Sequence, residues 1–217
     1  MEPKEARERM VSGLRSSGHV RSQRVADAML AVPRHLFLPP EMQEQAYSDT
    51  PLHIGQGQTI SAPHMVAIMA EELDLRPGHT VLEVGTGSGY HAAVMAELVR
   101  PRGKVYTIER LPYLAEMARR NLEATGYAEE VMVTEGDGTK GLPEHAPYDR
   151  ISVAAAAPRV PQPLKDQLSD GGKMLVPVGS SWYQDLVRVT RKGGRFQVEN
   201  LGGCVFVPLI GEHGHKS

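Results

Sequence analysis

The first sixty residues are predicted to form two helices followed by an irregular segment. The second helix is the clearer one: residues 21–32 repeat apolar side chains at i, i+3, i+4 and i+7, namely Val25, Ala28, Met29 and Val32. Ser22 is placed to cap its start and Pro33 to end it. Residues 34–59 keep no sustained period and contain several prolines and glycines, which predicts a shaped loop region without regular elements.

From residue 61 onward, short apolar strands alternate with helical segments. Ser61 is predicted to cap a helix that has Pro63 in its first turn. Five strands are predicted to follow, over residues 80–84, 104–109, 131–134, 149–154 and 173–178. Further helices are predicted over residues 88–99, 112–125 and 164–168. This alternation predicts an α/β fold with a doubly wound, mostly parallel, Rossmann-like sheet whose two faces are both covered.

The alternation ends after residue 178. Residues 185–190 and 195–201 flank a Lys-Gly-Gly turn and predict a hairpin, which would place antiparallel strands at one edge of the sheet. We therefore expect a single domain over residues 1–217, made of a helical and loop extension (1–60), a ligand-binding α/β core (61–180), and edge strands with a tail (181–217). The polar tail, residues 211–217, is expected to be mobile unless it covers the site.

The composition excludes several function classes. The 217 residues include 24 Lys+Arg and 26 Asp+Glu, and this net charge of −2 argues against a nucleic-acid partner held by a basic face. With 41% hydrophobic and 23% charged residues, most of the chain is not disordered. The single cysteine, Cys204, excludes an intramolecular disulfide and a multi-cysteine zinc site, and it fits a small buried apolar position. No metal is expected.

The chain is expected to be cytoplasmic and free of membrane contacts. Its longest apolar run, residues 151–158, is far shorter than the ~20 residues that cross a bilayer. The charged N-terminus lacks the apolar core of a secretory signal.

The strongest local signal is a strand that leads directly into a glycine-rich loop, where residues 83–89 read EVGTGSG. Such a loop lets the backbone approach a ligand closely and offers N–H groups at the start of the next helix. A dinucleotide fingerprint needs its third glycine one residue later, where this chain has Tyr90. With Glu83 just before the loop, a ligand that carries a cation fits better than a pyrophosphate.

Two further acidic residues follow the next two strands. Glu109 ends the second strand, where a carboxylate can accept both hydroxyls of a ribose. Asp137 follows the third strand and could accept from the amine of an adenine ring. Each acid alone could be a solvated loop carboxylate, and the loop alone could be an ordinary turn. Their joint placement favours a nucleoside bearing positive charge, and S-adenosylmethionine fits that description.

The loop resembles motif I of class I methyltransferases, and a second segment narrows the resemblance. Residues 49–65, DTPLHIGQGQTISAPHM, look like the signature of protein-L-isoaspartate (D-aspartate) O-methyltransferases. Further matches are VPRH at 32–35, GDG at 136–138, YD at 148–149, GGK at 171–173 and FVPL at 206–209. The resemblance implies transfer of the methyl group of S-adenosylmethionine to the α-carboxylate of L-isoaspartyl residues, and more weakly to D-aspartyl, in damaged proteins. The ester would then close to a succinimide and begin repair; a monomer is expected.

The resemblance also implies roles for individual residues. Ser61 would lie nearest the reaction, as the catalytic residue, although its type and position alone favour a helix cap. The implied cofactor contacts are Glu83 at the amino group, Gly85, Thr86, Gly87, Ser88 and Gly89 around the methionine end, Glu109 at the ribose, Asp137 and Gly138 at the adenine, and Ser61, Ala62, Pro63 and His64 from the other side. The implied substrate contacts are Ile54, Thr59, Ile60, Ser61 and Val207, of which the apolar members fit core packing equally well.

The chain departs from the family pattern at one position, and other functions stay open. Many members carry Arg before the FVPL segment, where this chain has Val205; Arg34 and His64 are candidates to replace it. His213 and His215 lack a third metal ligand and are expected to be solvated. The alternatives are a methyltransferase of a small molecule or RNA, a nicotinamide-dependent oxidoreductase, which the early third glycine disfavours, and a non-catalytic adaptor for altered peptides.

Overall fold

The computed structural model describes residues 2–180 and 182–216. The predicted C-terminal region starts at Ser181 and the predicted tail ends at Ser217, and both of these residues lie outside the described ranges. The N-terminal elements are helix α1 (Pro3–Ser16), helix α2 (Gln23–Ala31), two 3₁₀ helices (Arg34–Phe37 and Pro40–Gln45), and a hairpin of strands β1 (Leu52–Gly55) and β2 (Gln58–Ile60). Ser22 caps α2 as predicted, since its hydroxyl accepts from the Val25 N–H. The prediction of no regular elements over residues 34–59 is wrong, because strands of four and three residues are too short to show a period.

The rest of the chain forms a seven-stranded sheet with helices between its strands. In chain order these elements are α3 (Pro63–Leu73), β3 (Thr80–Val84), α4 (Tyr90–Val99), β4 (Lys104–Glu109), α5 (Pro112–Ala124), β5 (Val131–Glu135), β6 (Tyr148–Val153), α6 (Gln162–Asp166), β7 (Leu168–Gly179), β8 (Gln184–Lys192) and β9 (Arg195–Cys204). The strand order is β5-β4-β3-β6-β7-β8-β9, with β5 to β7 parallel and β8 and β9 antiparallel. The doubly wound sheet with antiparallel edge strands is confirmed.

The central strand β3 is buried on both of its faces. Val81 belongs to one apolar cluster, while Leu82 and Val84 belong to the other. From β3 the chain proceeds to β4 and β5 on one side and later to β6 and β7 on the other, so the strand order reverses between β3 and β6. In open α/β sheets a ligand binds at such a reversal, outside the carboxyl ends of the strands.

Helix α3 begins differently from the prediction. Ala62 is its N-cap residue, and no side chain at that position caps it. The carboxylate of Asp49 takes this role from fifteen residues upstream: its Oδ1 accepts from the His64 N–H at 2.8 Å and from His64 Nδ1 at 2.9 Å. The prediction that Ser61 caps α3 is therefore wrong, because a residue distant in sequence competes for the same N–H group.

Several element boundaries also differ from the prediction, most of them by one to five residues. Helix α4 starts at Tyr90 instead of Ser88, because Gly89 has a φ of +91° and cannot continue a right-handed helix. Helix α6 covers Gln162–Asp166, and Leu168 already belongs to β7.

The C-terminal tail packs against the core within its described part. The N–H of Glu212 donates to Asp137 Oδ2 at 2.8 Å, and the N–H of His213 donates to Thr139 Oγ1 at 3.1 Å. His215 pairs with Ile210 in an isolated bridge, and its Nε2 is buried. The expectation of a solvated side chain is therefore wrong for His215. The tail instead lies beside the residue that we expect at the adenine ring.

Candidate active site

A cavity opens at the carboxyl ends of β3, β4 and β6, where the strand order reverses. It encloses about 820 Å³ of space between protein atoms, its open mouth included. Of the residues expected at the cofactor or the substrate, it is lined by Thr59, Ile60, Ser61, Glu83, Gly85, Thr86, Gly87, Ser88, Glu109, Gly138 and Val207. We call this space the inner cavity.

The glycine loop forms one wall of the inner cavity. Gly85, Gly87 and Gly89 have φ angles of +93°, +55° and +91°, a region that favours glycine over residues with a side chain. The Gly89 N–H donates to the Thr86 carbonyl at 2.9 Å and closes the turn before α4. Gly89 itself packs against α5, since an added Cβ would lie 3.2 Å from Leu122. Gly85 and Gly87 therefore present backbone rather than side chains to the cavity.

Glu83 places a carboxylate in the cavity wall although it is fully buried. Its Oε2 accepts from the Thr107 hydroxyl at 2.7 Å, and Thr107 in turn lies 2.6 Å from the Thr86 hydroxyl. Its Oε1 finds no hydrogen-bond partner in the described chain; His91 Nδ1 is 3.3 Å away but poorly aligned. A buried carboxylate oxygen without a hydrogen-bond partner is costly, so Oε1 is available to a hydrogen-bond donor of a ligand in the cavity.

Glu109 is held rigidly by backbone groups. Its Oε2 accepts from the Gly87 N–H at 2.9 Å and its Oε1 from the Leu111 N–H at 3.1 Å. Burial raises the pKa of this carboxyl, although these N–H groups oppose the rise. Since each carboxylate oxygen can accept a second hydrogen bond, Glu109 retains the capacity to accept two neighbouring hydroxyls, as expected for a ribose.

Gly138 lines the inner cavity, whereas Asp137, which was expected at the adenine ring, does not. Gly138 must be a glycine for steric reasons, because an added Cβ would lie 2.5 Å from a Val84 methyl group. Asp137 Oδ1 accepts from the N–H and hydroxyl of Thr139, at 2.9 and 2.6 Å. Burial opposes ionisation of Asp137, but these bonds and the one from Glu212 outweigh it and lower its pKa. Asp137 therefore joins the cavity floor to the tail.

Ser61 lies where the inner cavity meets a second one, which we call the outer groove. Both are lined by Thr59, Ser61, Ala154 and Val207. The outer groove continues along Pro51, Ala62, His64, Met65, Trp182, Tyr183, Gln184, Gly203, Cys204, Val205 and Phe206. Within the described residues the Ser61 hydroxyl makes no hydrogen bond, so it is available to a ligand in either space.

The N–H groups of the first turn of α3 already have partners. The His64 N–H is bound to Asp49, and the Met65 N–H donates to the Ala62 carbonyl at 3.0 Å. Pro63 has no N–H at all. The first turn of α3 therefore leaves no spare N–H group for an anion, whereas the hydroxyl of Ser61 is free to donate.

Five of the expected residues line neither space: Gly89 and Asp137, described above, and Ile54, Pro63 and Arg34. Ile54 is 1% exposed and packs behind the loop, 3.3 Å from where a Gly87 Cβ would lie. Pro63 lines neither space. Arg34 is fully buried, donates from Nε to the Ala46 carbonyl at 2.8 Å, and lies over the Tyr90 ring. Arg34 therefore does not replace the arginine absent at Val205, whereas His64 does line the outer groove.

Several residues that line the inner cavity were not predicted from the sequence. Tyr90 and His91 follow the glycine loop and carry a buried hydroxyl and Nε2 without partners among the described residues. Burial raises the pKa of Tyr90 to about 12. Leu209 and Ile210 reach the cavity from the start of the tail. Only Tyr90 and His91 could have been suspected, from their place directly after the loop.

Residues 2–180 and 182–216 contain neither a membrane-spanning helix nor a cluster of metal-ligating side chains. None of their helices combines the length and the apolar character that crossing a membrane requires. They also bring together no group of three or more His, Cys, Asp or Glu side chains suited to a metal ion.

The chain is similar to proteins of one family along nearly all of its length. The profile of the family described as protein-L-isoaspartate(D-aspartate) O-methyltransferase (PCMT) matches residues 5–214. A protein-L-isoaspartate O-methyltransferase of Methanopyrus kandleri is 60% identical over 97% of this chain and 94% of its own. That of Hyperthermus butylicus is 58% identical over 98% of this chain and 92% of its own.

A solved structure supports the same assignment. The crystal structure of a beta-aspartate methyltransferase (PCMT) from Plasmodium falciparum, in complex with S-adenosyl-L-homocysteine, is 28% identical and matches with a TM-score of 0.85. The match covers 94% of this chain and 98% of that one. Together with the glycine loop and the acidic residues around the inner cavity, these similarities show that the chain belongs to the protein-L-isoaspartate(D-aspartate) O-methyltransferase family.

Proposed function

We propose that this protein transfers the methyl group of S-adenosylmethionine to the α-carboxylate of L-isoaspartyl residues, and more weakly to D-aspartyl, in damaged proteins. Membership of the family and the identity of 58–60% to the two relatives support this activity. The observation that carries the proposal is the junction at Ser61, where the inner cavity meets a groove that opens along the edge strands. A small molecule needs only one enclosed space, whereas methyl transfer to a peptide needs two spaces that meet.

The inner cavity fits S-adenosylmethionine at each end. Glu83 offers an unpartnered buried oxygen to the amino group, and Ser88 has a buried hydroxyl that also finds no partner in the described residues. Glu109 is fixed to accept the ribose hydroxyls. Gly138, where an added Cβ would collide with Val84, contributes backbone to the cavity lining. When bound, S-adenosylmethionine supplies a methyl group activated by its bond to a positively charged sulfur.

The chain needs to align and shield the reactants rather than to remove a proton. A carboxylate with a pKa of about 4 is already ionised at neutral pH, so the nucleophile requires no general base. The hydroxyl of Ser61 donates a hydrogen bond to that carboxylate and orients one of its oxygens towards the inner cavity. Orientation of this kind can account for a large part of a rate enhancement. Thr59 and Val207, on either side of Ser61, limit the access of water.

The activity is tested by methyl transfer from labelled S-adenosylmethionine to two synthetic peptides, identical except for isoaspartyl or normal aspartyl at one position. We expect base-labile methyl ester on the isoaspartyl peptide alone. Ser61→Ala should lower the turnover, while Ser12→Ala, at an exposed position of α1, serves as the matched control. Equal labelling of both peptides would contradict the proposed specificity. Cofactor binding without any labelling would favour an adaptor or a different substrate.

A further inference from the structure

The outer groove carries an apolar surface that is exposed to solvent instead of being packed in the core. Trp182, Tyr183 and Val205 are 90%, 68% and 80% exposed, and all three line the groove. The described residues contain only four other large apolar side chains with comparable exposure, Leu36, Tyr113, Met132 and Val198, and none of these lines it. Side chains so exposed contribute little to stability, since apolar groups gain free energy only when they leave water.

The groove offers little to a charged partner. Among the described residues that line it there is no Lys, Arg, Asp or Glu. The imidazole of His64 is bound to Asp49 at 2.9 Å. Burial raises the pKa of the Cys204 thiol to about 11, which keeps it uncharged. An acidic or basic side chain placed here would lose water contacts without gaining an opposite charge.

The apolar surface is held in a fixed place next to Ser61. Gln184 is 1% exposed and ties β8 to the segment after β9: its Nε2 donates to the Phe206 carbonyl at 3.0 Å, and its Oε1 accepts from the Phe206 N–H at 2.7 Å. This pair of bonds anchors Tyr183 and Val205, the direct neighbours of Gln184 and Phe206. Since Val207 lines both spaces, the apolar surface continues into the reaction site.

We propose that Trp182, Tyr183 and Val205 form a specificity subsite, an inference that rests on the proposed function. The subsite binds a large apolar side chain next to the isoaspartyl residue of the substrate. The occupant is the flanking part of the peptide, because the groove begins at Ser61 where the reactive carboxylate must lie. The protein therefore methylates isoaspartyl sites flanked by aromatic or aliphatic residues faster than sites flanked by acidic ones.

A peptide series tests the preference. Each isoaspartyl peptide carries Phe or Glu at one position from two residues before to two residues after the isoaspartyl residue. At one or more positions we expect kcat/KM to be about tenfold higher for Phe, chiefly through KM, which is the lower end of what apolar pockets discriminate. Trp182→Ala should reduce the ratio to less than about threefold, and Val205→Lys should favour Glu. Val198→Ala, an exposed position outside the groove, is the matched control.

The single tryptophan of the chain gives an independent readout. With S-adenosyl-L-homocysteine present to prevent turnover, the Phe-flanked isoaspartyl peptide should shift the emission of Trp182 to shorter wavelength, and the Glu-flanked peptide at the same concentration should not. Equal rates for Phe and Glu at all positions, or an unchanged ratio in Trp182→Ala, would overturn the subsite and leave the proposed function intact. If no isoaspartyl peptide is methylated, the proposed function fails and the subsite with it.

Discussion

Replacing Glu83 by glutamine should change stability and cofactor affinity in opposite directions. In the free protein, Oε1 of Glu83 is buried without a hydrogen-bond partner among the described residues, while Oε2 accepts from Thr107. Glutamine has the same shape, and its carbonyl oxygen can keep the bond from Thr107. Its amide removes the buried negative charge, which is expensive to keep in an apolar interior. The structure therefore predicts that the free variant is more stable than the natural protein.

The expected magnitudes follow from the two roles of this carboxylate. Removing the buried negative charge, less the cost of burying the NH₂ that replaces Oε1, should stabilise the free protein by about 1 kcal/mol, which raises Tm by about 2–4 °C for a chain of this length. A hydrogen bond between the carboxylate and the amino group of the cofactor contributes about 1.5–3 kcal/mol. Its loss should weaken the binding of S-adenosyl-L-homocysteine by about 10- to 150-fold.

Calorimetric titration and thermal unfolding measure both effects on the same samples. 5′-Methylthioadenosine lacks the amino-acid end, so Glu83→Gln should bind it about as well as the natural protein does. Glu109→Gln is the matched variant, because both oxygens of Glu109 accept from backbone N–H groups. An amide there would face an N–H with its own NH₂, so this variant should lose stability and bind both ligands more weakly. Unchanged S-adenosyl-L-homocysteine affinity, or a lower Tm, in Glu83→Gln would refute the reasoning.

Three further predictions concern other parts of the site. Ser61→Ala should lower kcat while leaving the Kd of S-adenosyl-L-homocysteine nearly unchanged, and unchanged turnover would remove Ser61 from the reaction. Gly138→Ala should destabilise the protein by about 1–3 kcal/mol in urea unfolding, because its Cβ would lie 2.5 Å from Val84; an unaltered midpoint would contradict the steric argument. Burial raises the pKa of Glu109, so the affinity for 5′-methylthioadenosine should fall as pH decreases through a value above the ordinary one for glutamate. Glu109→Gln should abolish this acid limb, and a limb that persists in the variant would assign it to another group.

The elements that the sequence predicted well are those whose local preferences agree with the fold. Strand β4 begins and ends at the predicted residues, Lys104 and Glu109, because a run of β-favouring residues is bounded by a glycine turn and a proline-started helix. The hairpin of β1 and β2 was missed because its strands are too short for periodicity to be recognised. Their turn instead depends on Gly55, Gln56 and Gly57, all of which have positive φ.

Two acidic residues of the site could be located from the sequence because Glu83 and Glu109 lie within the last two residues of the parallel strands β3 and β4. Glu83 and Glu109 both line the inner cavity as this placement requires. Arg34 shows the limit of the approach: its charge suggested a substrate ligand, yet it is enclosed beneath Tyr90, and burial lowers its pKa. No local pattern distinguishes an arginine packed on an aromatic ring from one that faces a groove, since the difference arises from segments far apart in the chain.

The capping of α3 shows why the role of Ser61 could not be decided from its surroundings in the sequence. A serine before a helix that starts with proline is ordinarily its N-cap residue. Its hydroxyl then accepts a hydrogen bond from a backbone N–H of the first turn. Here Asp49 supplies a charged acceptor to the His64 N–H, and charge-assisted bonds of this kind are stronger than those of a hydroxyl. The chain can therefore place a serine at the junction of the two spaces without needing its hydroxyl for the helix. The long segment before α3 thus leaves the Ser61 hydroxyl free for the role that we propose for it at the substrate carboxylate, and in that proposal the shape of the segment serves the reaction.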